Sequence, residues 1–199
     1  MADAIYHAEG NHWQLRNAWF ASTVLHRGGR GLSIAAVLCV ATAAVVAWRS
    51  RRLAWHAWRW PLTMLVASIA LSTALVSQLK HSTGMDCPWD LSRYGGHQPY
   101  YGLFESRQGL PASGCFPAGN ASAGYAWVAL YFFARATRPQ WRTAALALGL
   151  VAGLMLGVAQ QLRGAHFLSH DLWTLAVCWT VPLLLFRSIP PSGRVEARP

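Results

Sequence analysis

The chain has 199 residues, 54% of them hydrophobic and only 12% charged, about half the roughly 25% of a soluble domain. Its net charge of +10 arises from 17 basic against 7 acidic residues, yet all but one of the cations are Arg, and the single lysine is Lys80. Lysine poverty, 11 Trp and a mean hydropathy of +0.24 argue against a nucleic-acid module or a disordered basic tail. They argue for a small membrane protein.

In chain order, residues 12–26 mix Trp, Phe and Leu with polar residues and predict an interfacial helix. Apolar runs follow at Gly31–Trp48, Trp60–Leu79, Ala121–Ala136, Thr143–Gln161 and Leu172–Phe186. Each is near the ~20 residues that cross the hydrocarbon core, with the third and fifth short. The fourth is apolar all round, and its Gly149, Gly153 and Gly157 form a ladder that allows another helix to approach closely. The expected fold is all-α: an integral membrane bundle of about five transmembrane helices plus the N-terminal interfacial helix.

Short connections orient the bundle. Arg49, Arg51, Arg52 and Arg59 follow the first span, Arg135, Arg138 and Arg142 follow the third, and Arg187, Arg194 and Arg198 end the chain. The positive-inside rule assigns all of these to the cytoplasm. Residues 1–30, the loop 80–120 and the turn Arg163–Asp171 then face outward, which in a bacterial inner membrane is the periplasm. The layout is an N-terminal segment 1–30, a transmembrane domain 31–187 and a cytoplasmic tail 188–199. An outward N-terminus requires either a further preceding span or unaided translocation of a short segment. Cys39 and Cys178 fall inside spans and read as packing residues. Cys87 and Cys115 share the exterior loop, where an oxidising compartment favours a disulfide between them. A cluster of Trp48, Trp55, Trp58 and Trp60 suits an aromatic belt at the cytoplasmic interface. In the exterior loop, Asp86, Asp90 and Arg93 read as turn-fixing and ion-pairing groups.

Three exterior segments carry residues that a lipid-spanning chain otherwise avoids: Gln78–Asp90, Cys115–Ala126 and Gln160–Asp171. Together they resemble the type 2 phosphatidic acid phosphatase family of membrane lipid phosphatases. That family has the motifs Lys-x6-Arg-Pro, Pro-Ser-Gly-His and Ser-Arg-x5-His-x3-Asp, in that order. Lys80 and Pro88 stand at the first spacing, with Cys87 in the Arg position. Pro117-Ala118-Gly119-Asn120 matches the second with Ala for Ser and Asn for His. His166 with Gly164 and Ser169 matches the core of the third; Gln160 occupies its Arg position and His170 its Asp position, with Asp171 one further on.

The resemblance implies six spans in the family and a phosphatase chemistry that maps residue by residue. His166 is the expected nucleophile, forming a phosphohistidine that water hydrolyses. Asp171, or alternatively His170, is expected to orient its ring. Lys80 and Arg163 are expected to clamp the phosphate, helped by backbone N–H groups around Ala118 and Gly119, with Gln160 and Arg107 as further candidates. No cofactor is expected, and a metal is not required, because Lys and Arg supply the positive charge. Asn120 cannot act as the second motif's acid, so an impaired form, engineered or naturally diverged, is expected. His81 and His170 are the nearby side chains considered as replacements. The expected partner is a lipid phosphate such as undecaprenyl diphosphate, phosphatidylglycerophosphate, phosphatidic acid or a lipid A phosphate. No nucleic acid is expected. A lipid-to-lipid phosphotransferase and a non-catalytic lipid-phosphate binder or transporter remain alternatives.

Overall fold

A computed structural model describes residues 1–103, 105 and 113–187. Its helices are α1 (Ala2–Ala8), α2 (Gly29–Arg49), α3 (Leu53–Thr83), α4 (Gly119–Tyr125), α5 (Ala129–Thr137), α6 (Arg142–Leu162) and α7 (Leu168–Arg187). A π-helical stretch, Phe20–Gly28, runs without a break into α2. Among the described residues, four helical segments are long and apolar enough to cross a membrane: Phe20–Arg49, Leu53–Asp90, Pro139–Leu162 and Leu168–Arg187. The chain is therefore an all-α, multi-pass membrane bundle. Leu32, Leu71, Leu148, Leu154 and Leu184 point outward and exposed, as a lipid-facing surface requires.

Two elements differ from the sequence expectation. The first span begins at Phe20 rather than Gly31, so the second half of the helix expected over residues 12–26 becomes the start of that span. Ahead of it lie short turns and α1. The third expected span is an interrupted helix, α4 and α5 joined by the 3-10 turn Ala126–Val128. From Gly119 to Thr137, at 1.5 Å per residue, it reaches about 28 Å, just the thickness of the hydrocarbon core. It sits in the centre of the bundle, with Ala118, Ala121, Ala126, Val128 and Ala129 wholly buried against Leu65 and Ile69 of α3 and Cys178 of α7. The small side chains at these positions let its backbone pack closely among the four longer helices.

The glycine ladder on α6 makes that approach possible. A Cβ at Gly149 would meet the backbone of Trp127 and Val128, and one at Gly153 would enter the ring of Tyr125. One at Gly157 would strike the Asp171 carboxylate of α7. With no side chains in the way, α4 and α6 pack backbone to backbone, which maximises dispersion contacts where no hydrophobic effect drives helices together.

Seven arginines, Arg49, Arg51, Arg52, Arg59, Arg135, Arg138 and Arg142, gather at one end of the bundle, at the α2–α3 and α5–α6 connections. Lys80, Cys87, Cys115, Asn120 and His166 lie at the other end. There Cys87 and Cys115 form a disulfide with Cα atoms 5.2 Å apart. Asp3 of α1 pairs with Arg93 at 2.7 Å and accepts from Tyr94 Oη at the same distance, pinning the N-terminus over this end. Ser113 donates to Asp86 and Asp90, fixing the loop. The tail 188–199 and Arg107 lie outside the described residues.

If the ladder sets the packing, Gly153→Leu lowers stability by at least about 1–3 kcal/mol, the usual cost of overpacking. Met155→Leu, on the exposed side of the same helix, changes it little. Thermal unfolding in detergent checks this; equal melting of the two variants would contradict the packing.

Candidate active site

The site is built from the ends of four elements. Lys80 lies in the last turns of α3, and its Nζ would stand 3.8 Å from a Cβ on Gly119, the first residue of α4. Thr83 donates to the Phe116 carbonyl at 2.6 Å, and Cys115 N donates to the Met85 carbonyl at 2.7 Å. These two bonds tie the end of α3 to the strand of chain that leads into α4. Asn120 follows on α4, 8% exposed, with neither atom of its amide hydrogen-bonded. Ala118 is fully buried and its N–H donates to the His170 carbonyl at 3.3 Å, so it is committed within the protein. The N–H ligands expected of Ala118 and Gly119 thus reduce to Gly119, which borders a cavity between α2, α3 and α4.

His166 lies in the turn between α6 and α7. Gly164 makes that turn possible: its φ of +72° is a left-handed conformation, and a Cβ there would collide with the Trp13 indole. Trp89 N donates to the Gly164 carbonyl at 2.9 Å, and Ala165 N to the Gln160 carbonyl at 2.9 Å, holding the turn from both sides. The His166 ring is 6% exposed, and its Nδ1 is 3.4 Å from Nδ1 of His170. Burial, followed by the charges of His170 and Lys80, pushes the His166 pKa down to about 3, against the opposing effect of a hydrogen bond to the Cys115 backbone. The ring is therefore neutral throughout the physiological range, the state in which an imidazole nitrogen has a lone pair to offer.

Asp171 does not meet His166. Its carboxylate accepts a hydrogen bond from the Gln161 side chain on α6, inside the notch left by Gly157. A single-residue step along α7, about 100° of rotation, turns Asp171 toward α6 while His170 faces His166, so the side chain that meets His166 is His170. The His170 ring is itself held edge-on by Phe116, with centroids 5.2 Å apart. Its backbone carbonyl accepts from Thr174 Oγ1 at 2.8 Å.

Arg163 uses two of its N–H groups within the protein. Nε donates to the Arg16 carbonyl at 2.8 Å and Nη1 to Gln160 Oε1 at 3.0 Å. Arg16 and Arg163 both lie over the Trp89 ring, at 4.6 and 5.9 Å. Gln160, in the Arg position of the third motif, is 2% exposed and positions Arg163.

A cavity of about 510 Å³ opens between α2, α3 and α4. Lys80, Gly119 and Asn120 line one end, together with His26 and Arg30 from the first span. Toward the membrane interior its walls are Ile34, Val37, Leu38, Ile69 and Val76. From Lys80 to Ile69 the cavity follows α3 for about 16 Å at the helical rise. His26 and Arg30 are site residues that motif matching does not reveal. The available signal was His26, Arg30 and Ser33 at i, i+4 and i+7, one polar face at the end of an apolar span. His81, in contrast, is exposed and outside this cavity.

Bundle and cavity together define a multi-pass membrane protein with a cationic, histidine-bearing site at one end. A family model described as the PAP2 superfamily matches residues 61–194, more than half of the chain. No curated protein and no solved structure matches it. The chain belongs to the PAP2 superfamily, whose members are phosphatases acting on lipid phosphates. The match begins at Pro61, so His26 and Arg30 come from a helix outside it.

The His166 pKa makes a prediction with a definite sign. An unfolded chain binds a proton on this ring near pH 6.5, the folded protein only near pH 3. Between those values the unfolded state holds more protons, so this site's contribution to stability is full above pH 6.5 and is lost as the pH falls toward 3. His166→Gln removes that loss. The wild-type melting temperature should fall more than the variant's between pH 7 and pH 4.5; equal falls would contradict a buried neutral ring.

Proposed function

We propose that this protein hydrolyses a phosphate monoester or diphosphate on a lipid headgroup, at the periplasmic face of a bacterial inner membrane. The observation that carries the reading is the polarity gradient of one cavity. Its outer end gathers Lys80, Arg30, His26 and the unpartnered Asn120 amide, while its inner walls are aliphatic. An amphiphile fits that gradient, with its phosphate at headgroup depth and its chains in the apolar end. Two buried amide atoms without partners cost roughly 1–3 kcal/mol each, a cost that a ligand oxygen and hydroxyl would offset.

In this reading His166 attacks phosphorus in line, and the P–O bond to the lipid breaks to leave a phosphohistidine. Neutral at physiological pH, the ring needs no base to remove a proton first. His170 orients it by ring-to-ring contact, and Gln161 holds Asp171 so that α7 keeps His170 in register. Lys80, Arg30 and Arg163 surround the equatorial oxygens; two of these cations stand in for the arginines missing at Cys87 and Gln160. The arginine-rich end of the bundle supports a cytoplasmic assignment for that face and an outward one for the site. Asn120 favours a second reading, a lipid-phosphate binder without turnover, because an amide cannot protonate a leaving oxygen.

Phosphate release from lipid phosphates in mixed micelles decides between them. Wild-type protein should release phosphate, and His166→Ala should reduce the rate by at least about 10³-fold. Lys80→Gln should mainly weaken transition-state binding, lowering kcat/KM by about 10²-fold or more. Binding without release, in wild type and also in Asn120→His, would contradict the phosphatase reading and leave the binder.

A further inference from the structure

Asn120 leaves the leaving group without the acid that the family's second motif would supply. On the phosphatase reading above, another group must donate that proton. Imidazoles are the natural source near neutral pH. His170 is 1% exposed and is enclosed by Phe116, Phe167 and His166. His81 is exposed at the outer surface, and His97 borders a separate polar pocket with Arg16 and Trp89. Among the described residues, one histidine lines the cavity that holds Lys80 and Asn120, and it is His26.

Three further observations converge on this ring. Its Nδ1 is buried and has no hydrogen-bond partner, so a ring nitrogen is uncommitted inside the site. It lies within electrostatic reach of His166, Lys80, Arg163, Arg30 and Arg27, so it shares its surroundings with the nucleophile and the phosphate-clamping cations. It also sits in the π-helical stretch Phe20–Gly28, an uncommon conformation that re-aims side chains and recurs at functional sites. There Leu156 of α6 packs so closely on Gly29 that a Cβ at that position would clash. The first span is thus held with its His26–Arg30–Ser33 face on the cavity, and Ser33 accepts from Trp127 Nε1 at 2.9 Å.

We infer that His26 is the proton donor to the leaving group, taking the part that Asn120 cannot play. An imidazole nitrogen of His166 attacks phosphorus, and the electron pair of the breaking P–O bond leaves with the lipid oxygen. That oxygen takes the proton from a ring N–H of protonated His26, which becomes neutral. Water then attacks the phosphohistidine and gives its proton to His26, while the P–N electron pair returns to His166. Inorganic phosphate leaves, and both rings are restored. The groups facing His26 are Lys80 from α3, Arg163 and His166 from the α6–α7 turn, and Arg27 and Arg30 from its own helix. All but His166 are cations, so protonated His26 is favoured chiefly when a phosphate dianion sits among them. The acid is armed by substrate binding.

The test compares two leaving groups. Short-chain phosphatidic acid expels a strongly basic diacylglycerol alkoxide that needs a proton, whereas an alkyl-chained nitrophenyl phosphate expels a weakly basic nitrophenolate that does not. His26→Gln should lower kcat about 10²–10⁴-fold on phosphatidic acid and less than about tenfold on the nitrophenyl ester. Adding Asn120→His to that variant should recover phosphatidic acid cleavage by at least about tenfold, since it returns an acid to the motif position. Unchanged kcat on both substrates in His26→Gln would overturn the inference. So would a parallel loss on both that Asn120→His does not rescue. A wild-type protein inert on both substrates sinks the phosphatase reading itself, a different result from either.

Discussion

The close approach of α6 to its neighbours is the constraint from which the site follows. Three glycines in register on one face let α4 lie against α6 and let the Asp171 carboxylate of α7 enter the notch at Gly157. Gln161 closes that notch by donating to Asp171, and the bond joins α6 to α7 on either side of the turn that carries His166. A methyl group at any rung would push apart the elements that bring His166, His170, Asn120 and Lys80 to one end. In a membrane, where lipid tails are as apolar as leucine, such close packing is a main source of helix association. The same packing therefore holds the bundle together and aligns its polar end.

The polar end is dense for a protein so apolar. Asn120, Gln160, Gln161, His166, His170 and Asp171 are all buried there, several with unsatisfied atoms. Groups of this kind are costly to bury without partners, and they concentrate where a ligand completes their bonding. Disulfide, N-terminal ion pair and the tryptophan lying under Arg16 and Arg163 all brace the covering loop over this cluster. These contacts gather around the site, consistent with rigid placement of charges rather than with a loose surface patch.

Much of this was legible in the residues, and the limits are physical. Apolar run lengths located the spans, because hydrocarbon thickness sets helix length. Motif spacing gathered Lys80, Asn120 and His166, because each stands where a helix ends or begins at the same end of the bundle. Rotation about a helix axis was not legible. An all-round apolar span has no polar stripe to fix its phase, so Asp171 could not be seen to face Gln161 while His170 faced His166. The π-helical start of the first span was likewise hidden, since no short-range pattern distinguishes it from an interfacial helix. His26 and Arg30 were missed for that reason: residues 1–30 read as a segment outside the spans, although the first span starts at Phe20.

Phosphate trapping tests the central claim, that His166 carries the phosphoryl group, most directly. Protein mixed with a lipid phosphate labelled in its phosphate, then quenched in alkali, should carry alkali-stable, acid-labile label on the peptide containing His166. Turnover with no label on that peptide, or with label on another residue, would contradict the account.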